Sequence, residues 1–206
     1  MGGNNRRYRQ KTNKKAKKLK GKKMKFDNTN TTEFEQPTKG TKPARLIGLY
    51  DIGVQKGKAF QNEPAKDRPQ VVFVFELVGK EKQSSGKAFT ISKFATVSLH
   101  KKGGLVPVLK ALGVDVKSKN NDWWEAPTVL LSTLLNEPVM LSIENSEDGK
   151  AYISSVSPPV EGLTFAEPTE KLGFLDLDAS DYLDFFTKAP AWIQKKCQES
   201  IGWDEK

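Results

Sequence analysis

The chain has 206 residues, of which 36% are hydrophobic and 29% are charged, and its formal net charge is +9. No apolar run approaches the roughly 18–20 residues that span a bilayer, and no apolar segment follows the basic N-terminus, so we expect neither a membrane span nor a secretory signal. One Cys and one His exclude a disulfide framework and leave little for a zinc site, so we expect no metal and no cofactor.

Charge is distributed unevenly along the chain. Residues 1–26 hold twelve Lys or Arg and no Asp or Glu, whereas residues 27–159 carry only +2 and residues 160–206 carry −5. A block of like charges repels itself and stays disordered, and basic arms often bind nucleic acid. The alternative is a solubilising or targeting tail. The arm residues that we expect to contact nucleic acid are Arg6, Arg7, Arg9, Lys14, Lys15, Lys17 and Lys18.

The ordered part of the chain is expected to begin near Ala44, because residues 1–43 contain few apolar side chains. Runs of branched and aromatic residues then predict three strands. A long polar loop separates the first two of these strands, and a short turn separates the second from the third. The predicted strands are 44–55, 70–79 and 87–100.

The apolar period changes to that of a helix after Gly104. The residues of the predicted helical face are Leu105, Val108, Leu109 and Leu112. Pro107 is tolerated in the first turn, and Gly113 can end the helix. A polar insert with two Trp and a short buried segment follow, and the last two strands are predicted over 137–145 and 150–158.

Three strands, a helix and two strands form the element order of a five-stranded Greek-key barrel, the OB-fold. We therefore predict an all-β OB-fold barrel with one helix between the third and fourth strands. The predicted parts are a disordered basic arm (1–43), the barrel (44–160) and an acidic tail (161–206) that ends in an amphipathic helix. A truncation after about Pro168 is expected to leave the barrel folded.

Several blocks of the sequence resemble the single-stranded DNA-binding proteins of tailed phages. The blocks are "ARLIGLYDIGVQ", "VVFVFELVG", "ISKFATVSLHKKGGL" and "LLNEPVMLSIENSEDGKAYISSVSPP". The ending "APAWIQKKCQESIGW" is also similar to the closing segment of this family. The resemblance covers about residues 44–160 and 189–203, and the order and spacing of the blocks carry it. The longer basic arm and "NNDWWEAPT" depart from the family pattern.

This resemblance implies a non-catalytic OB-fold protein that protects and organises single-stranded DNA during phage replication or recombination. It implies action in the cytoplasm of the infected bacterial host, as a monomer or a dimer. Acidic and aromatic tails of such proteins recruit replication or recombination partners, or occupy the basic cleft when no DNA is present. The segment "FLDLDASDYLDFF" fits that role.

A protein that holds single strands needs aromatic faces for bases and cations for phosphates. The period of two places Phe94 on the wet, hydroxyl-rich face of the third strand, and it places Tyr152 on the outer face of the last strand. Phe73 and Phe75 are expected in the core, because Glu76 marks the wet side of their strand. Phe94 and Tyr152 are therefore the predicted stacking residues.

Cations and Trp residues complete the predicted interface. Lys93 interrupts an apolar face, so it either lies at a bulge and reaches a phosphate or extends its ammonium to water. Arg45 opens the first strand and can face either way. Trp123 and Trp124 either stack bases or cover an exposed edge of the barrel. The predicted loop cations are Lys56, Lys58, Lys66 and Arg68.

Catalysis is poorly supported by the sequence. His100 has no nucleophile or carboxylate constellation near it, and Cys197 falls on the apolar stripe of the final helix, where it acts as a small hydrophobe. The Asp residues of 176–184 suggest a metal site, but their hydrophobic neighbours favour a partner-binding tail. Two alternatives remain: an RNA-binding or nucleoid-type protein driven by the arm, and a structural or interaction barrel.

Overall fold

The computed structural model describes residues 35–57, 59, 64–127 and 131–205, so Lys58 and the seven arm cations lie outside the described residues. The first elements are strands β1 (Gly40–Gln55), β2 (Arg68–Leu77) and β3 (Thr90–Thr96), helix α1 (Leu105–Ala111), and strands β4 (Lys117–Ser118) and β5 (Trp124–Glu125). The later elements are a 3-10 turn (Leu131–Leu134), β6 (Pro138–Asn145), β7 (Ala151–Ser157), β8 (Gly173–Leu175), α2 (Tyr182–Lys188), α3 (Ala191–Gln198) and a second 3-10 turn (Trp203–Glu205).

The main sheet has the strand order β3-β2-β1-β6-β7, in which each pairing is antiparallel. Three consecutive strands with a fourth that returns beside the first is the Greek-key order, and the predicted all-β class is confirmed. The predicted OB-fold barrel is not confirmed, because the sheet does not close: no ladder joins β3 to β7 within the described residues. Instead, the Lys93 ammonium donates a hydrogen bond to the carbonyl of Ile153 across this seam, at 3.0 Å.

The core on the inner face of the sheet matches the sequence pattern. Phe73 and Phe75 are buried there, as predicted, and they share this core with α1. All four predicted face residues of α1 are buried, and Gly113 adopts a φ of +81° directly after the last turn. A positive φ carries no steric cost at glycine, so the predicted helix and its C-terminal stop are both confirmed.

Strand β1 begins at Gly40, four residues earlier than predicted. Residues 40–45 pair with β6, and the Lys42 ammonium forms an ion pair with Glu81. Pro37, just before the strand, is buried. Sequence periodicity missed this segment because its backbone pairing and its polar contacts leave no apolar pattern.

The segment after residue 164 covers part of the outer face of the sheet. Strand β8 pairs in parallel with β1, and α3 buries Ile193 and Cys197 against that strand. The described residues of the range 35–205 cluster as one compact unit, in which the tail residues contact the strands of the sheet. The outer cluster consists of Tyr50, Ile52, Val72, Leu175, Leu177, Ala189, Ile193 and Cys197.

Two polar side chains on the outer face attach this C-terminal segment to the sheet. The Arg45 guanidinium donates to the carbonyls of Asn136, Phe165 and Ala166, at 2.7–3.0 Å. Glu76 is only 1% exposed, and its carboxylate accepts hydrogen bonds from the Thr169 amide and hydroxyl and from the next amide. The expected wet position of Glu76 is therefore wrong, because a segment distant in sequence covers it.

Glycine makes the contact between β8 and β1 possible at one point. Gly48 and Gly173 are opposite each other in the parallel register, and the Tyr50 ring lies over both. A Cβ added to Gly173 would collide with the Tyr50 hydroxyl oxygen. Within the described part of the chain, no helix is long and apolar enough to cross a membrane.

Candidate nucleic-acid interface

The C-terminal segment leaves the outer face of β3 open. Val72 is opposite Phe94 in a register without irregularity, and Tyr50 is opposite Val72, so all three side chains lie on the same face. Tyr50 and Val72 are buried under the C-terminal segment, whereas Phe94 is 47% exposed. The predicted outward orientation of Phe94 is confirmed. A large aromatic ring is thus available to solvent at an edge of the covered area.

A groove begins at Thr96, two residues beyond Phe94 on the same face of β3, and continues into the loop that leads to α1. Its volume is about 610 Å³, and we call it the β3 groove. Arg68 and Lys102 bring two cations to it, and no carboxylate lines it within the described residues. Its lining residues are Arg68, Thr96, Ser98, His100, Lys102, Gly103, Gly104 and Trp123. A groove with cations, hydroxyl groups and an exposed ring has the chemistry that a nucleic-acid strand requires.

The two adjacent Trp residues have different surroundings. Trp123 is 46% exposed, and its ring makes an edge-to-face contact with His100 at a centroid distance of 5.0 Å. Trp124 packs against the inner core, and the Lys110 ammonium lies 3.5 Å from its ring centroid. Successive residues of an extended segment point to opposite sides, so only Trp123 faces the β3 groove.

The hairpin of β4 and β5 fixes the position of Trp123. The Asn120 side-chain oxygen accepts hydrogen bonds from the backbone amides of Asp122 and Trp123, each at 2.9 Å. Asn residues commonly stabilise turns in this way. His100 forms an isolated bridge with Trp123, and the Trp124 amide donates to the carbonyl of Leu99 at 2.8 Å. The Trp123 ring is therefore held against the loop that follows β3.

Tyr152 is 44% exposed on β7, as the period of its strand predicted. Its hydroxyl donates a hydrogen bond to the Glu144 carboxylate at 3.4 Å. A carboxylate beside the ring repels phosphate, so this position is less favourable for a nucleic-acid strand than the surroundings of Phe94. The structure brings Tyr152 and Phe94 to opposite sides of the open seam rather than into one groove.

Lys93 lies at the seam on the inner face of the sheet, opposite Phe73. Strand β3 has no bulge at this position, so of the two alternatives for Lys93 the bulge is excluded. Burial lowers the pKa of the Lys93 ammonium, and its hydrogen bond to the Ile153 carbonyl directs it into the protein. The guanidinium of Arg45 is likewise engaged with backbone carbonyls and with Glu167, at 3.1 Å. Both residues join parts of the fold together.

The remaining predicted cations lie on the connection between β1 and β2. Lys56 and Lys66 are exposed, and Arg68, at the start of β2, reaches the β3 groove. The structure also adds three residues that sequence reasoning did not assign to the interface. His100 and Lys102 line the groove, and Trp192 of α3 lies beside Phe94. The sequence places Trp192 beside the apolar stripe of the last helix, and this position is the signal from which its exposure near the interface could have been inferred.

Three carboxylates come together at the contact between β1 and the C-terminal segment. Oxygen atoms of Asp51, Asp176 and Asp178 all lie within 4.8 Å of one another. Burial raises the pKa of Asp51, and the negative charges of Asp178 and Asp176 raise it further. Carboxylate oxygens are suitable ligands for a divalent cation, but exposed acidic groups also meet in this way without one.

The single cysteine is part of the outer cluster. Burial, and to a lesser degree the charge of Asp51, raise the pKa of the Cys197 thiol to about 11. Its Sγ donates a weak hydrogen bond to the Asp51 carbonyl at 3.6 Å. A nucleophilic thiol requires a lowered pKa and access to solvent, so Cys197 has the surroundings of a packing residue.

No protein-family model matches this chain, and no curated protein matches it significantly.

Proposed function

We propose that this protein binds single-stranded DNA without sequence preference and without catalysis, along the open outer face of β3. The observation that carries the proposal is the joint exposure of Phe94 and Trp123 on a surface whose cations are Arg68 and Lys102. Bases stack on rings whatever their sequence, while cations hold the phosphates. The resemblance to phage single-stranded DNA-binding proteins adds support, and its setting would be DNA replication or recombination in the host cytoplasm.

The proposal includes an OB-type fold. The described sheet has the Greek-key strand order, and α1 lies between the third and fourth long strands. OB-folds are partly open barrels that bind nucleic acid on the face of their second and third strands. Phe94 lies on β3, directly opposite a residue of β2, which corresponds to that face.

A titration of three labelled ligands at one salt concentration tests this function. The ligands are single-stranded DNA, duplex DNA of the same sequence and single-stranded RNA, because all three carry phosphates, only the single strands offer unpaired bases for stacking, and only RNA carries the 2′-hydroxyl. We expect tight binding to single-stranded DNA, tolerance of sequence and weaker binding to the duplex. Equal binding to all three ligands contradicts the proposal, and so does the absence of binding.

The basic arm supports a second candidate, an RNA-binding or nucleoid-type protein. Residues 1–26 carry twelve Lys or Arg and no acidic residue, which is sufficient for binding to any polyanion. A chain lacking residues 1–26 separates the two candidates. The first predicts weaker binding with a flatter salt dependence, since each lost phosphate contact lowers the slope by about 0.7. The second predicts that all binding is lost.

A further inference from the structure

Helix α3 places a second exposed aromatic ring beside Phe94. Trp192 is 42% exposed, and its ring centroid lies 6.4 Å from that of Phe94, with 58° between the ring planes. The rings are therefore neighbours on one surface and not the two walls of a parallel sandwich. Each ring is partly exposed, and a base can stack on exposed aromatic surface.

The next turn of α3 adds positive charge on the same side. Residues three and four positions apart share one face of a helix, so Lys195 and Lys196 lie on the side of Trp192. Lys195 is exposed, whereas Lys196 pairs with Glu199 at 2.8 Å. An exposed ring with a nearby cation is the same combination that the β3 groove presents at Trp123.

The position of Trp192 depends on the docking of α3. Ile193 and Cys197 are fully buried in the outer cluster, and they face away from the side that carries Trp192. The Gln55 amide also donates to the Lys196 carbonyl at 3.1 Å. The helix is thus attached to β1, while Trp192 extends toward β3.

We infer that α3 is a wall of the single-strand interface, in which Trp192 and Phe94 stack on neighbouring bases and Lys195 contacts the adjoining phosphate. This inference rests on the proposed function. It makes the C-terminal segment a part of the binding site, so release of α3 from β1 lowers the affinity for DNA. A truncation after about Pro168 removes α3 and should therefore lower the affinity for DNA.

Substitution of Trp192 tests this assignment. The readout is the binding of a fluorescein-labelled oligothymidylate of about 16 nucleotides, because this length is the upper limit of the binding site of one OB-fold. Trp192→Leu retains apolar volume but cannot stack, and we expect it to weaken binding about tenfold or more. Trp192→Phe should remain close to wild type, because any ring can stack. Leu183→Ala, an exposed change on α2, is the control and should have no effect.

Labelling of Cys197 by a thiol reagent shows whether α3 stays docked in each variant, because this is the only cysteine and it is buried. The expected result is unchanged protection of Cys197 in Trp192→Leu together with the loss of affinity. A double-variant cycle with Phe94→Ala should give less than additive losses, since the two rings share neighbouring bases.

Wild-type affinity in Trp192→Leu overturns this inference. A loss of affinity that Trp192→Phe shares, and that occurs only together with increased reactivity of Cys197, also overturns it. Neither result contradicts the proposed function, provided that wild type binds the oligonucleotide and Phe94→Ala binds it more weakly. If wild type itself fails to bind the oligonucleotide, the proposed function fails with it.

Discussion

Glu76 and Phe94 lie on the same outer face of one sheet, yet their surroundings are opposite. The carboxylate of Glu76 is buried and holds the backbone at Thr169, whereas the ring of Phe94 is exposed to solvent. The difference arises because the C-terminal segment covers the outer faces of β1 and β2, whereas at β3 it contributes the Trp192 ring beside Phe94. Phe94 and Trp192 together form exposed aromatic surface at the edge of the covered area, and groups of exposed apolar side chains often mark binding sites.

The contrast between buried Glu76 and exposed Phe94 requires that α3 is firmly docked on β1. Ile193→Ala removes a fully buried side chain, and we expect it to cost about 2–5 kcal/mol of unfolding free energy, the largest effect among these predictions. Chemical denaturation measures the loss, and labelling of Cys197 should become faster. Leu183→Ala, on the exposed side of α2, should change stability by less than about 0.5 kcal/mol. Equal effects of the two variants would mean that α3 is not docked.

Loss of the contact between Glu76 and the backbone at Thr169 and Glu170 should have the next largest effect. Glu76→Ala leaves the amides of Thr169 and Glu170 without their acceptor, and we expect a loss of about 1–3 kcal/mol in the same denaturation experiment. Glu147→Ala in the exposed turn between β6 and β7 is the matched control. A stability that is unchanged by Glu76→Ala would place Glu76 in solvent, as the sequence pattern alone suggested.

Removal of the β3 groove cations should weaken DNA binding without changing the stability of the fold. The double variant Arg68→Ala, Lys102→Ala removes both cations of the β3 groove, so the slope of log affinity against log salt should fall by about 0.7 for each. Lys82→Ala, exposed in the turn between β2 and β3, should leave the slope unchanged. Identical slopes for all these proteins would remove the groove from the interface.

The smallest expected effect is on the pH dependence of stability, through Asp51 of β1. Burial and neighbouring carboxylates raise the pKa of Asp51, so folding favours its protonated form, and this contribution to stability is lost as pH rises from about 4. Asp51→Asn retains the side-chain oxygen that accepts from the Gly53 amide. We expect the variant to melt slightly higher than wild type at pH 7 and to lose this advantage near pH 4. A lower melting temperature at pH 7 would contradict this.

Much of the sheet could be predicted from sequence, because burial within one strand repeats with a period of two. That period placed Phe94 outward and Phe73 inward, and the helical period identified α1. The period shows on which face of the sheet a residue lies but not which segment covers that face. For this reason the sequence pattern wrongly placed Glu76 in solvent. Adjacent residues such as Trp123 and Trp124 could not be separated before their strand and its direction were known.

Contacts between distant segments account for the rest of what sequence did not predict. The C-terminal segment reaches β1 through the register of Gly48 and Gly173, and a local pattern contains no sign of such pairing. Lys93 broke an apolar face for a reason that lay across the seam, in the carbonyl of Ile153. The contribution of Trp192 depends in the same way on where α3 docks.

Replacement of Phe94 tests the central claim most directly, through thermal melting and DNA titration of the same samples. We predict that Phe94→Ala lowers affinity for single-stranded DNA by about tenfold or more and that Phe94→Trp retains it, since one stacked base contributes roughly 1–3 kcal/mol. The melting temperature of Phe94→Ala should change little, because an exposed ring leaves no cavity when it is removed. An unchanged affinity, or a large loss of melting temperature with the affinity of the folded protein preserved, would contradict the account.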